Sequence, residues 1–84
     1  MSKRKVLEKV LGGAKSVNFR EMVALVEACG FRLSRVKGSH HIFVHPRVRE
    51  LLNIQNVKGK AKPYQIHQFL ELVERYDLRM EGET

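Results

Sequence analysis

Three of the four histidines of this 84-residue chain, His40, His41 and His45, fall within six positions, directly after the turn Gly38-Ser39 and beside the cations Arg35 and Lys37. Imidazole is the side chain best able to exchange a proton near neutral pH, which is what a base must do to deprotonate a ribose 2′-hydroxyl for attack on the adjacent phosphate. The charge that then builds up on the phosphate oxygens needs fixed cations close by. His40 with Lys37 and Arg35 offers both functions, and Ser39 adds a hydrogen bond. The chemistry this cluster suits is metal-independent cleavage of RNA.

The same residues also fit structural roles. On a strand, His40, Ile42 and Val44 point to one face and His41, Phe43 and His45 to the other, and periodicity does not say which face is buried. For His41 and His45 a packing or hydrogen-bonding role is favoured. Zinc is disfavoured: adjacent strand residues such as His40 and His41 point apart, and the chain has neither a second cysteine nor an HExxH motif. His67 lies four residues before Glu71 on the polar side of a helix, which suits a surface pair, with a phosphate contact as the rival reading. Cys29 reads as a small apolar filler and not as a nucleophile.

The elements that must position these groups follow from spacing. Val6, Leu7, Val10 and Leu11 give a short helix over Lys3 to Leu11 that Gly12-Gly13 stops. Asn18 is suited to cap a second helix, with Glu21 three residues on as in a capping box and an apolar stripe of Phe19, Met22, Val23 and Val26; Gly30 closes it. Alternation over Phe31 to Val36 and a β-branched and aromatic run from His40 to His45 predict a hairpin around Gly38-Ser39, ended by Pro46. Glu50 to Val57 is expected to be a third strand, although Leu51-Leu52 interrupts its alternation. Lys58 to Lys62 is expected to be a basic loop, and Pro63 to open a final helix with Ile66, Phe69, Leu70 and Val73 inward. The order predicts an α+β domain: a three-stranded antiparallel meander with helices on one face and the other face open. Packing is expected to end near Tyr76-Asp77-Leu78, with a frayed tail from Arg79 to Thr84.

Composition narrows the function. A chain of 84 residues with 43% apolar content suits one domain with a modest core and no deep cavity for a large cofactor, so no small-molecule cofactor is expected. The single cysteine excludes an internal disulfide and fits a reducing, cytoplasmic setting. No apolar stretch approaches the ~20 residues that span a bilayer, and no signal-peptide core follows the basic start, so neither membrane insertion nor export is expected. The net charge is +7, and it resides in the middle third, where Arg32, Arg35, Lys37, Arg47, Arg49, Lys58, Lys60 and Lys62 face the single acid Glu50. A local positive field of this kind attracts a polyanion, nucleic acid first among them, through counterion release.

Gly30-Phe31, then Lys37-Gly38-Ser39-His40-His41-Ile42-Phe43, then His45-Pro46, and finally Lys58-Gly59-Lys60 with Lys62-Pro63 resemble, in order and spacing, the HicA family of toxins. The resemblance runs from about Asn18 to Leu78, so residues 1–84 are expected to hold one domain with its core at 18–78, an N-terminal extension over 1–17 and a tail over 79–84. It implies a compact double-stranded-RNA-binding-domain fold and a ribosome-independent endoribonuclease that cuts mRNA and is silenced by a HicB antitoxin covering the site. The histidine that the family needs for cleavage corresponds here to His40. Two features depart from the family pattern: the helix at Lys3 to Leu11 precedes the usual start, and Tyr64-Gln65-Ile66-His67-Gln68 replaces small and basic residues after Lys-Pro. In this reading Arg35, Lys37 and Ser39 hold the phosphate, and Lys58, Lys60 and Lys62 grip the chain. A noncatalytic RNA-binding module on the same face and a small basic protein that binds an acidic partner are the alternatives. Strand scission that depends on His40 separates the first reading from both.

Overall fold

The second helix begins where its cap residue places it. In the computed structural model, which describes residues 3–13 and 17–80 (3–6 by backbone alone), the Asn18 side chain accepts a hydrogen bond from Arg20 N at 2.9 Å. It thereby satisfies one of the N–H groups that a helix start leaves without a partner. Glu21 does not complete the expected capping box by pairing back to Asn18; its carboxylate lies 3.7 Å from Lys9 Nζ and ties the second helix to the first.

The order is α1 (Lys3–Leu11), β1 (Val17–Asn18), α2 (Phe19–Ala28), β2 (Arg32–Lys37), β3 (His40–His45), β4 (Val48–Val57), β5 (Lys60–Ala61) and α3 (Pro63–Tyr76). The strands form one antiparallel sheet in the order β1-β5-β4-β3-β2. The α+β class and the open antiparallel sheet are as expected, but the sheet has five strands and not three. The two additional strands have two residues each, too short for alternation to register; β1 pairs with β5, and β5 with the end of β4. The segment expected as a basic loop is therefore a hairpin, and β4 starts two residues before Glu50.

Alternation along β4 survives the Leu51-Leu52 pair. Val48, Leu52 and Ile54 are buried on the helix side, while Leu51 is 52% exposed on the other. Phe43 joins them from β3, and the helices contribute Val10, Met22, Leu25, Val26, Ile66, Phe69 and Leu72 to one contiguous core. Phe31 and Phe69 meet at its centre with ring centroids 6.2 Å apart. Each such side chain stabilises the fold by roughly 1.5–3 kcal/mol relative to exposure. Leu78 and Met80 are also buried, so packing continues past Tyr76; of the expected frayed tail, residues 81–84 lie outside the described residues.

Charges at the far end of the sheet secure the helices. Arg32 donates to the carbonyls of Glu27 and Phe31 at the end of α2, and Arg47 donates to Tyr76 O at the end of α3, 2.9 Å away. Guanidinium groups there meet the carbonyls that a helix C-terminus leaves open and its negative dipole end. Glu50, on the helix face of β4, accepts from Tyr76 Oη at 2.6 Å and pairs with Arg75. The Tyr76 hydroxyl, with Arg75 beside it, holds the Glu50 carboxyl below the ordinary carboxylate range.

Candidate functional site

Lys37 and His40 are paired across β2 and β3, so Gly38-Ser39 is a two-residue hairpin turn. Gly38 has φ +60°, and Ser39 is not among the positive-φ residues, a combination that matches a type II′ turn with glycine in first position. A Cβ at Gly38 would meet nothing within 4 Å, so backbone conformation and not space requires glycine. The turn is fastened to β4 at two points, and β4 in turn to α3. Asn56 N donates to Ser39 O (2.9 Å), Gln55 Nε2 donates to Ser39 Oγ (3.2 Å), and Gln55 N donates to Oε1 of Gln65 from α3 (2.6 Å). Gln65 is 1% exposed and occupies the hydrogen-bonding direction that β4 turns away from β3 at this residue.

The question that periodicity left open is settled by Phe43. It is buried under the helices, so His41 and His45 share its helix-side face and His40 lies on the uncovered one. His45 uses both ring nitrogens internally: Nε2–H donates to Cys29 O (3.1 Å), Nδ1 accepts from Arg47 N (3.0 Å), and the ring meets Phe31 edge-on. His41 Nδ1–H donates to Ser39 O (3.2 Å), and its ring packs 4.7 Å from that of Phe19. Both have the structural surroundings anticipated for them. Cys29 is buried, and His67 is exposed on α3.

On the uncovered face the register lines up two rows across the strands. One is Lys37, His40 and Gln55; the next is Arg35, Ile42 and Asn53. Residues directly opposite in an antiparallel pair have Cβ atoms about 5 Å apart, and diagonal neighbours about 7–8 Å, so both cations lie within side-chain reach of the imidazole. His40 is half-buried, and its Nδ1 faces the Asn53 amide. Lys37, Arg35 and the neighbouring Val44 are exposed. Asn53, Gln55 and Gln65 were not among the candidates read from the sequence. The signal for Asn53 and Gln55 was the polar alternation Asn53-Ile54-Gln55 within an apolar strand, since asparagine is depleted in strands.

The β4–β5 turn, Lys58-Gly59, lies at the same end of the sheet as Gly38-Ser39, because β4 runs back alongside β3. Lys58 adopts φ +51°, and the turn is held by Asn56 Oδ1, which accepts from Gly59 N at 2.8 Å. Lys58 and Lys60 are exposed; Lys62 precedes α3 with its ammonium 5.9 Å from the centre of the Tyr64 ring. The fold thus gathers Lys37, Ser39, His40, Lys58 and Lys60 at one end of the sheet, with Arg35 one row inward. Among the described residues no group of three potential ligands is placed to hold a metal, and no helix is long and apolar enough to cross a membrane.

An open sheet backed by helices, with its cations gathered round one end, defines a small basic α+β protein of the double-stranded-RNA-binding-domain type. The family model for the HicA toxin of bacterial toxin-antitoxin systems matches residues 19–74, two thirds of the chain. The chain belongs to the HicA toxin family and is a toxin of a toxin-antitoxin system, which implies a cognate antitoxin. Comparison with curated proteins and comparison with solved structures each return no match.

Proposed function

We propose that this toxin is a metal-independent endoribonuclease that cuts mRNA in the cytoplasm, with His40 as the general base. His40 Nε2 takes the proton of a ribose 2′-hydroxyl, the freed oxygen attacks the adjacent phosphorus, and the bond to the 5′-oxygen of the next nucleotide breaks, that oxygen receiving a proton as it leaves. The products are a 2′,3′-cyclic phosphate and a 5′-hydroxyl. Lys37 and Arg35 offset the charge that grows on the phosphate oxygens. Ser39 accepts from Gln55 and retains its own hydroxyl hydrogen for the phosphate. Lys58, Lys60 and Lys62 grip the flanking sugar-phosphate chain. The observation that carries the reading is the placement of His40 on the uncovered face, directly across from Lys37, while His41 and His45 are engaged internally.

The inhibiting partner in this reading is a HicB-type antitoxin seated on the same face, where exposed Val44 and Leu51 lie among the cations and would be covered together with His40. An acidic partner surface complements Arg35 and Lys37.

The test is incubation of the purified protein with a defined mRNA in the presence of a chelator, with His40→Ala in parallel. The wild type is expected to cut and the variant to bind without cutting, since general base catalysis contributes about 10²–10⁴-fold. Binding without cutting by both proteins would establish the noncatalytic RNA-binding module. Failure of both to bind RNA would leave the acidic-partner reading.

A further inference from the structure

Nδ1 of His40 faces the side-chain amide of Asn53, with Oδ1 at 3.2 Å and Nδ2 at 3.0 Å. Asn53 comes from the neighbouring strand, one row along the sheet from His40, and is half-buried. We propose that Asn53 is a positioning residue: its Oδ1 accepts a hydrogen bond from Nδ1–H of His40 and so leaves a lone pair on Nε2, on the far side of the ring. The choice of Oδ1 over the slightly nearer Nδ2 rests on the ribonuclease reading above; the contact between the ring and the amide does not.

A neutral imidazole carries one N–H, and the partner of one ring nitrogen decides which nitrogen is left to act as the base. Both ends of the Asn53 amide lie within reach of Nδ1. If the NH₂ end donated to Nδ1, Nε2 would carry the hydrogen and could not accept one from a ribose. If Oδ1 accepts, Nε2 is the basic nitrogen, and the bond persists after His40 takes up a proton, because the imidazolium also carries Nδ1–H. The oxygen-facing orientation therefore serves both ends of a proton transfer, whereas the reverse orientation would set two donors against each other in the charged state. Asn53 is held for this task by the β3–β4 register, in which it pairs with Ile42, and by Leu52 and Ile54 on either side, which are buried beneath the helices.

The tautomer is read directly by nitrogen–proton correlation NMR of the imidazole rings, recorded at alkaline pH where the ring is neutral. Wild-type His40 is expected to be protonated at Nδ1, Asn53→Ala to shift toward the Nε2–H form that free histidine prefers, and Asn53→Asp, which keeps an acceptor in place, to retain Nδ1–H. In RNA cleavage Asn53→Ala is expected to lower kcat roughly tenfold with little change in KM, a part of the general-base contribution, and Asn53→Asp to recover most of it. Nε2–H in the wild type, or an unchanged tautomer in Asn53→Ala, would overturn the assignment, the second even if cleavage fell. A wild type with an Asn53-dependent Nδ1–H that cuts no RNA would instead retain Asn53 as the partner of His40 and remove the ribonuclease reading alone.

Discussion

His40 and His41 are neighbours in sequence with opposite surroundings, and a strand's alternation is the cause. One ring points out to the uncovered face beside Lys37, the other inward to Ser39 O and Phe19. The turn that starts the strand depends on a single residue conformation. Gly38 sits at φ +60° with open space where a Cβ would go. Gly38→Ala is therefore expected to destabilise the fold by about 1–2 kcal/mol through backbone strain alone, and Gly38→Asn by less, because asparagine tolerates positive φ better. Denaturant midpoints for the two variants check this; equal losses would point to a steric cause. Both variants are also expected to cut RNA more slowly, since Lys37, Ser39 and His40 flank or form the turn.

Elements are coupled here by polar groups at the two ends of the sheet. At the His40 end, Oε1 of buried Gln65 on α3 accepts from Gln55 N, and Gln55 Nε2 donates to Ser39 Oγ, so the turn is referenced to a helix through one strand. At the far end Glu50 joins β4 to Tyr76 and Arg75 of α3. Its carboxyl titrates below the ordinary range when folded, chiefly because the Tyr76 hydroxyl bonds the ionised form. A group with a depressed folded pKa contributes its stability above the unfolded value and loses it as pH falls through the folded one. Wild type is therefore expected to exceed Glu50→Gln in thermal stability at neutral pH and to converge on it as pH falls below the ordinary glutamate range. Thermal unfolding of both across that range is the measurement, and a constant gap would mean that Glu50 ionisation does not couple to folding. Tyr76→Phe is expected to show the same convergence.

At the level of the whole molecule, the surplus charge is arranged and not merely present. Arg32 and Arg47 are spent on helix ends, while Lys37, Lys58 and Lys60 gather round the His40 turn with Arg35 one row inward. Binding of a single-stranded RNA is expected to weaken with salt by a slope of ~0.7 per phosphate neutralised. Lys58→Ala with Lys60→Ala is expected to lower that slope by roughly 1.4, whereas Arg47→Ala, at the opposite end, should leave the slope unchanged and lower stability instead. Fluorescence anisotropy titrations between low and moderate salt distinguish the two. A slope that fell as much for Arg47→Ala would show that the charge acts as a diffuse field.

Several features were legible in the chain because they are local. The Asn18 cap, the helical spacing of Ile66, Phe69 and Val73, the glycine turn before His40 and the clustering of cations each depend on neighbours within a few residues. The two-residue strands were not legible, because Val17-Asn18 and Lys60-Ala61 owe their conformation to each other across more than forty positions of sequence. Nor was the face on which His40 lies: alternation divides a strand into two sides, but which side is covered depends on where Phe43, Leu52 and Ile54 find helices to pack against. The Asn53 amide came to His40 for the same reason. Thirteen residues separate them, and only the β3–β4 register, set by the two-residue turn at Pro46-Arg47 and by burial of alternate β4 side chains, brings that amide to that ring.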